Sequence, residues 1–255
     1  MMQAPRRATV RGPTFIRTLA GLTDADVPPP ARSLSDQLSQ WVDWTHAVAL
    51  STALDGRPPA ALLDDRILSS GEDDECARVH ASLTSAIVAD RAFAASTPRA
   101  PAQAAAASAN ADETLEFAFY RQRYLALQQT MEAGVGRLRE RLRALLTHGT
   151  PGMVRLAAVD AVMERALGRR ERALLAAAPT LLSEHFERLR QAALTAADET
   201  AADDAHTADD TQPAASSAWL EIFRKDMRNV LLAELDVRLQ PAQGLLAALR
   251  TQAKN

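Results

Sequence analysis

The 255-residue chain has little of what marks several large protein classes. It carries one cysteine, Cys76, so no disulfide can close within it, and a reducing cytoplasm is its expected setting. Aromatic residues make up 4% of the chain and glycines number 10, which excludes collagen-like repeats and argues against sheets built from aromatic and β-branched side chains. The longest uncharged apolar stretches, 44–54 and 173–183, fall short of the roughly 20 residues that a membrane-spanning helix needs. Arginines 6, 7, 11 and 17 lie near the first apolar stretch, but Arg17 interrupts it and no small-residue cleavage pattern follows, so no signal peptide is expected. A net charge of -3 selects no partner class.

What the chain has instead is alanine, roughly a fifth of all residues, together with leucine. Both favour helix, and the expectation is an all-α helical bundle with a long antiparallel helical hairpin and two flexible linkers. The expected order is an amino-terminal helical block over 13–95 and an Ala/Pro linker over 96–112, followed by the hairpin over 113–194. An acidic disordered linker over 195–216 and a carboxy-terminal helix over 217–250, packed on the hairpin, complete the chain.

Local signals place the helices. Phe15, Ile16 and Leu19 can share a face of a short first helix, which the prolines at 28, 29 and 30 bar from continuing. Ser33 with Asp36 resembles a capping box, and the spacing of Leu34, Leu38, Trp41, Thr45, Val48 and Thr52 predicts one helix running to Asp55. Another is expected over 74–95. From Phe117 through Tyr120, Tyr124, Leu127 and Met131 to Val135, Leu138, Leu142 and Leu145, apolar residues recur every three or four positions, a heptad-like seam with one stutter beside Gly134 and Gly136. A bend is expected there. Pro151 after His148-Gly149-Thr150 reads as a hairpin turn and a new helix start. Pro179 predicts a kink or two successive helices, and Pro241 a kink or an end.

Signatures of chemistry are absent from the sequence. It contains no GxxxxGK[ST] phosphate loop, no GxSxG elbow and no HExxH, and Gly134-Val135-Gly136 lacks both a third glycine and a preceding strand. Cys76 and His80 lie one helical turn apart with Glu72 and Asp73 nearby, yet four zinc ligands at familiar spacing are not there. The expectation is no catalytic residue, no metal and no cofactor. His46 beside Trp44 reads as a packed or boundary histidine.

Charge is unevenly spread. Between Arg137 and Arg190 there are eleven arginines against six carboxylates, and the following 195–216 stretch has six carboxylates with no Lys or Arg. Arg137 with Arg141, Arg139 with Arg143, and Arg169 with Arg170 could meet phosphates, an anionic membrane or an acidic protein, or could form a solvated face that the acidic stretch screens. Trp41 with Trp44, and Trp219 with Phe223, read either as partner anchors or as the heavy part of an otherwise light core.

Two stretches, FIRTLAGLTDADVPPPARSLSDQLSQWVDWTHAVALSTAL from Phe15 to Leu54 and FRKDMRNVLLAELDVRLQPAQGLLAALR from Phe223 to Arg250, resemble an uncharacterised proteobacterial family, a domain of unknown function of the Burkholderia and Xanthomonas type. The resemblance implies no activity and no catalytic residues. It implies genomic neighbours similar to MotA/TolQ/ExbB proton channels and OmpA-like cell-wall binders. The expected function is therefore that of a non-enzymatic cytoplasmic structural or adaptor protein with a protein partner, or a homo-oligomer joined through Val135, Leu138, Leu142 and Leu145. The alternative is a module binding nucleic acid or an anionic surface through Arg137, Arg141, Arg169 and Arg170.

Overall fold

In a computed structural model, residues 13–23, 32–56, 71–93, 116–203 and 212–252 are described. Among them the protein is all-α, with no strand. Its helices are α1 (Thr14–Thr23), α2 (Leu34–Trp41), α3 (Trp44–Asp55), α4 (Gly71–Val88), α5 (Phe117–Leu146), α6 (Pro151–Leu175), α7 (Ala178–Asp203) and α8 (Gln212–Gln252), with a 3-10 turn at Arg91–Phe93. The expected 96–112 linker lies outside the described residues.

Several boundaries differ from the sequence expectation, each for a local reason. The single helix expected to end at Asp55 is two, because Asp43 caps α3 by accepting from the His46 backbone N–H at 2.8 Å. The helix expected over 74–95 ends at Val88; the buried Asp90 then accepts from the Ala92 N–H at 2.9 Å and starts the 3-10 turn. Helix α5 runs through Gly134 and Gly136 without interruption. At Gly134 a Cβ would stand 3.2 Å from a Leu83 methyl of α4, so the missing side chain gives α4 and α5 room for close approach. Pro179 lies in the first turn of the second of two successive helices, where its missing N–H costs nothing, and Pro241 sits inside α8. Helical backbone continues to Asp203 and resumes at Gln212, so the described parts of the expected 195–216 linker are helical, and 204–211 lie outside the described residues. Alanine is the best helix former, and the alanines at 196, 197, 201 and 202 outweigh the lack of large apolar groups that suggested a linker.

The chain divides into two compact units. The first comprises Met1–Val27, Ser85–Gln128 and Ala177–Glu234. Its centre is aromatic: Phe223 meets Phe186 edge-on at 4.9 Å and Tyr120 at 5.1 Å, and Phe186 meets Trp219 at 5.0 Å. The Trp219/Phe223 pair is thus core. Buried polar groups are threaded through this apolar centre. The Glu234 carboxylate, fully buried, accepts from the Tyr124 hydroxyl at 2.6 Å and from Gln128 Nε2 at 3.0 Å. His185 Nε2 lies 2.9 Å from Asp226, while Arg188 stands 3.3 Å from His185 Nδ1 and donates to the Leu22 carbonyl at the end of α1.

The second unit comprises Pro28–Thr84, Gln129–Ala176 and Leu235–Asn255. Here the later part of α5 and α6 form the antiparallel hairpin. Arg139 of α5 holds Asp160 of α6 through two hydrogen bonds of 2.9 and 2.7 Å, and Arg143 bonds both Asp160, at 3.1 Å, and Glu164. Burial opposes the charge on Arg143, but the hydrogen bonds it donates to Glu164 and Asp160 outweigh this and raise the pKa above the ordinary arginine value.

Candidate functional site

The eight residues expected to carry interaction divide sharply in the structure. Val135, Leu138 and Leu142 are buried within the chain and Leu145 is half-buried, with Leu146 taking the fully buried place beside Leu142. The seam belongs to the core of the second unit, which corrects the expectation that these leucines offer a surface to another copy. Heptad spacing reads the same whether the covering helix comes from the same chain or another, so spacing alone left both outcomes open.

The four arginines Arg137, Arg141, Arg169 and Arg170 are exposed, but two are engaged within the chain. Arg141 pairs with Glu75 at 2.7 Å, and the Arg170 guanidinium lies 4.3 Å over the Trp41 ring. Of the other arginines counted between 137 and 190, Arg139 and Arg143 hold α6, Arg172 meets Glu132 at 3.4 Å, Arg188 holds α1, and Arg190 meets Glu187 at 3.6 Å. Most of the positive face is therefore spent on internal pairs, and an incoming polyanion would have to compete with them.

The sequence leaves Trp44 open between a partner anchor and the core, and the structure puts it on the outward face of α3. Neither α2 nor α3 contains a buried residue. Helix α3 rests on α6 through the half-buried His46, Ala49, Leu50 and Ala53. The opposite face presents Trp44, Ala47, Val48 and Leu54 to solvent, with Trp44 83% exposed. Because the helix breaks at Val42 and Asp43, Trp41 and Trp44 do not form one cluster: Trp41 is covered by Arg170, and Trp44 stands outside. An exposed aromatic beside branched aliphatics is the composition of an interface anchor.

The cap that starts α3 also makes this face sensitive to acid. The Asp43 carboxyl is held below its ordinary value of 3.8, first by the His46 backbone N–H. A lowered pKa in the folded state means that the cap stabilises above pH 3.8 and is lost as pH falls through the folded value. Amide exchange at Thr45–Ala47 is expected to accelerate on acidification through that range beyond its intrinsic pH dependence. Asp43→Asn, which caps without titrating, should abolish the excess, and Asp43→Ala should show fast exchange throughout.

The family model for "Protein of unknown function (DUF3348)" matches residues 1–251. The chain belongs to this family. No curated protein and no solved structure matches it significantly. Membership of the DUF3348 family brings no activity with it, so chemistry must be read from the side chains. Among the described residues no three of His, Cys, Asp or Glu converge on a point that could hold a metal ion. His80 faces Asp236 at 3.8 Å, and burial, followed by the charges of Asp73 and Glu75, pushes the Cys76 thiol above its ordinary value, away from the reactive thiolate. No helix among the described residues is long and apolar enough to cross a membrane.

Proposed function

We propose that this DUF3348 protein is a non-enzymatic structural or adaptor protein that acts by helix-helix association, with the outward face of α3 docking against an apolar helix of a second protein. The observation that carries the reading is Trp44, 83% exposed beside Val48 on a helix that buries none of its own residues. Covering a side chain of this kind contributes about 1.5–3 kcal/mol, and its neighbours on the same face add to that. In this reading the protein is cytoplasmic, in keeping with its single cysteine. The resemblance noted above suggests, as the partner, a component of an ion-driven envelope complex in proteobacteria. The competing reading, an anion-binding arginine face, is less favoured because Arg141 and Arg170 are already engaged.

A photo-crosslinking amino acid at position 44, with position 174 as a control, tests the proposal in cells; Leu174 is 61% exposed on a different helix. The expected result is one discrete adduct from position 44, none from 174, and loss of the adduct when Val48→Asp is added. Identical adducts from both positions, or an adduct indifferent to Val48→Asp, would overturn it.

A further inference from the structure

A pocket of 290 Å³ opens on the first unit where α8 passes the 3-10 turn, lined by Phe93, Glu221, Ile222, Arg224, Lys225 and Arg228. Its parts are held from behind. Asp90 fixes the turn that carries Phe93: it accepts from the Ala92 N–H at 2.9 Å and, at 3.2 Å, from Nε of Arg123 on α5. At the base, Arg224 is 6% exposed, donating from Nε to the Tyr120 hydroxyl at 3.1 Å and from Nη1 to Glu221 at 2.6 Å. Its second terminal nitrogen, Nη2, is not used in either bond. A guanidinium locked by two partners keeps its orientation and loses little entropy when it meets an anion.

The charge balance is the second observation. Glu221 offsets Arg224, whereas Lys225 and Arg228 have no ion-pair partner among the described residues. Two uncompensated positive charges therefore border a cavity whose remaining wall is apolar, made by the buried Phe93 and by Ile222, 50% exposed. We propose that this pocket binds a small phosphate monoester carrying an apolar body, its phosphate held by Arg224, Lys225 and Arg228 and its body against Phe93 and Ile222. A phosphate monoester brings between about 1.5 and 2 negative charges near neutral pH, which matches the two free cations better than a carboxylate does. The volume is at the small end of ligand pockets and suits a single ring or short chain. The site is separate from the α3 face and does not depend on the function proposed for it.

Titration calorimetry of the full chain with phenyl phosphate, benzoate and inorganic phosphate is the test. Phenyl phosphate is expected to bind saturably at one site with a dissociation constant of about 1 mM or lower, and both other probes at least about fivefold more weakly. Lys225→Ala with Arg228→Ala should weaken phenyl phosphate at least about tenfold, since both charge-assisted hydrogen bonds to the phosphate are lost. Lys225 is exposed and Arg228 half-buried, and neither has an ion-pair partner among the described residues, so the double variant should keep the parent's thermal transition; Ile222→Ser serves as a second probe, with an expected loss of about threefold confined to phenyl phosphate. Absence of saturable binding, equal affinity for benzoate, or unchanged affinity in the Lys225/Arg228 variant would overturn the proposal.

Discussion

Leu142→Asp is expected to unfold the second unit rather than disperse an assembly of copies. Leu142 is 1% exposed, between Leu138 and Leu146, which are also buried. The substitution removes the transfer energy of a buried leucine and forces a carboxylate into an apolar site with no partner designed for it, a loss of about 4 kcal/mol or more. For a chain of this size each kcal/mol moves the melting temperature by about 2–4 °C, so the transition should fall by at least about 8 °C or disappear. Circular dichroism on heating, with light scattering on the same sample, decides the matter. If the melt were unchanged while the mass in solution halved, the seam would join two chains and its placement in the core would be wrong.

The second large effect is expected at Glu234. Replacing it with alanine leaves the Tyr124 hydroxyl and the Gln128 amide without the carboxylate they share, both in a buried setting, at a cost of about 3–5 kcal/mol. Removing the donors as well should recover part of the loss, because the hydroxyl and the amide that Glu234 accepts from are then gone too. Urea denaturation of Glu234→Leu alone and of Glu234→Leu with Tyr124→Phe and Gln128→Leu measures this, and the triple variant should be the more stable of the two. A triple variant no better than the single one would show that the three groups do not act as a network.

Parts of this network were legible in the sequence and parts were not. Phe223, Met227 and Val230 advance along α8 by four and three residues, and the next step of four lands on Glu234. A charged residue on an apolar stripe was therefore readable, but its partners on α5, more than a hundred residues earlier, were not. The hairpin was more transparent. Arg139 and Asp160 are equidistant from the Gly149-Thr150 turn, so once the turn is placed that cross-helix pair follows from antiparallel geometry. The α3 face was hidden for the opposite reason. Helical periodicity assigns apolar residues inward, and Trp41 and Val48 fitted one continuous stripe until the Asp43 cap divided it. A cap without glutamate three residues later is a weak signal inside a stripe that otherwise continues.

The contact among Arg188, His185 and Asp226 gives the first unit a hydrogen-bond chain with a fixed direction. A guanidinium can only donate, so His185 Nδ1 must receive and Nε2 must carry the hydrogen offered to Asp226. The imidazole is held as a single tautomer, receiving from α7 and giving to α8. The same arginine reaches the Leu22 carbonyl, so the group that fastens α1 is also the one that orients the ring. Attachment of the first helix is thereby tied to the orientation of one imidazole.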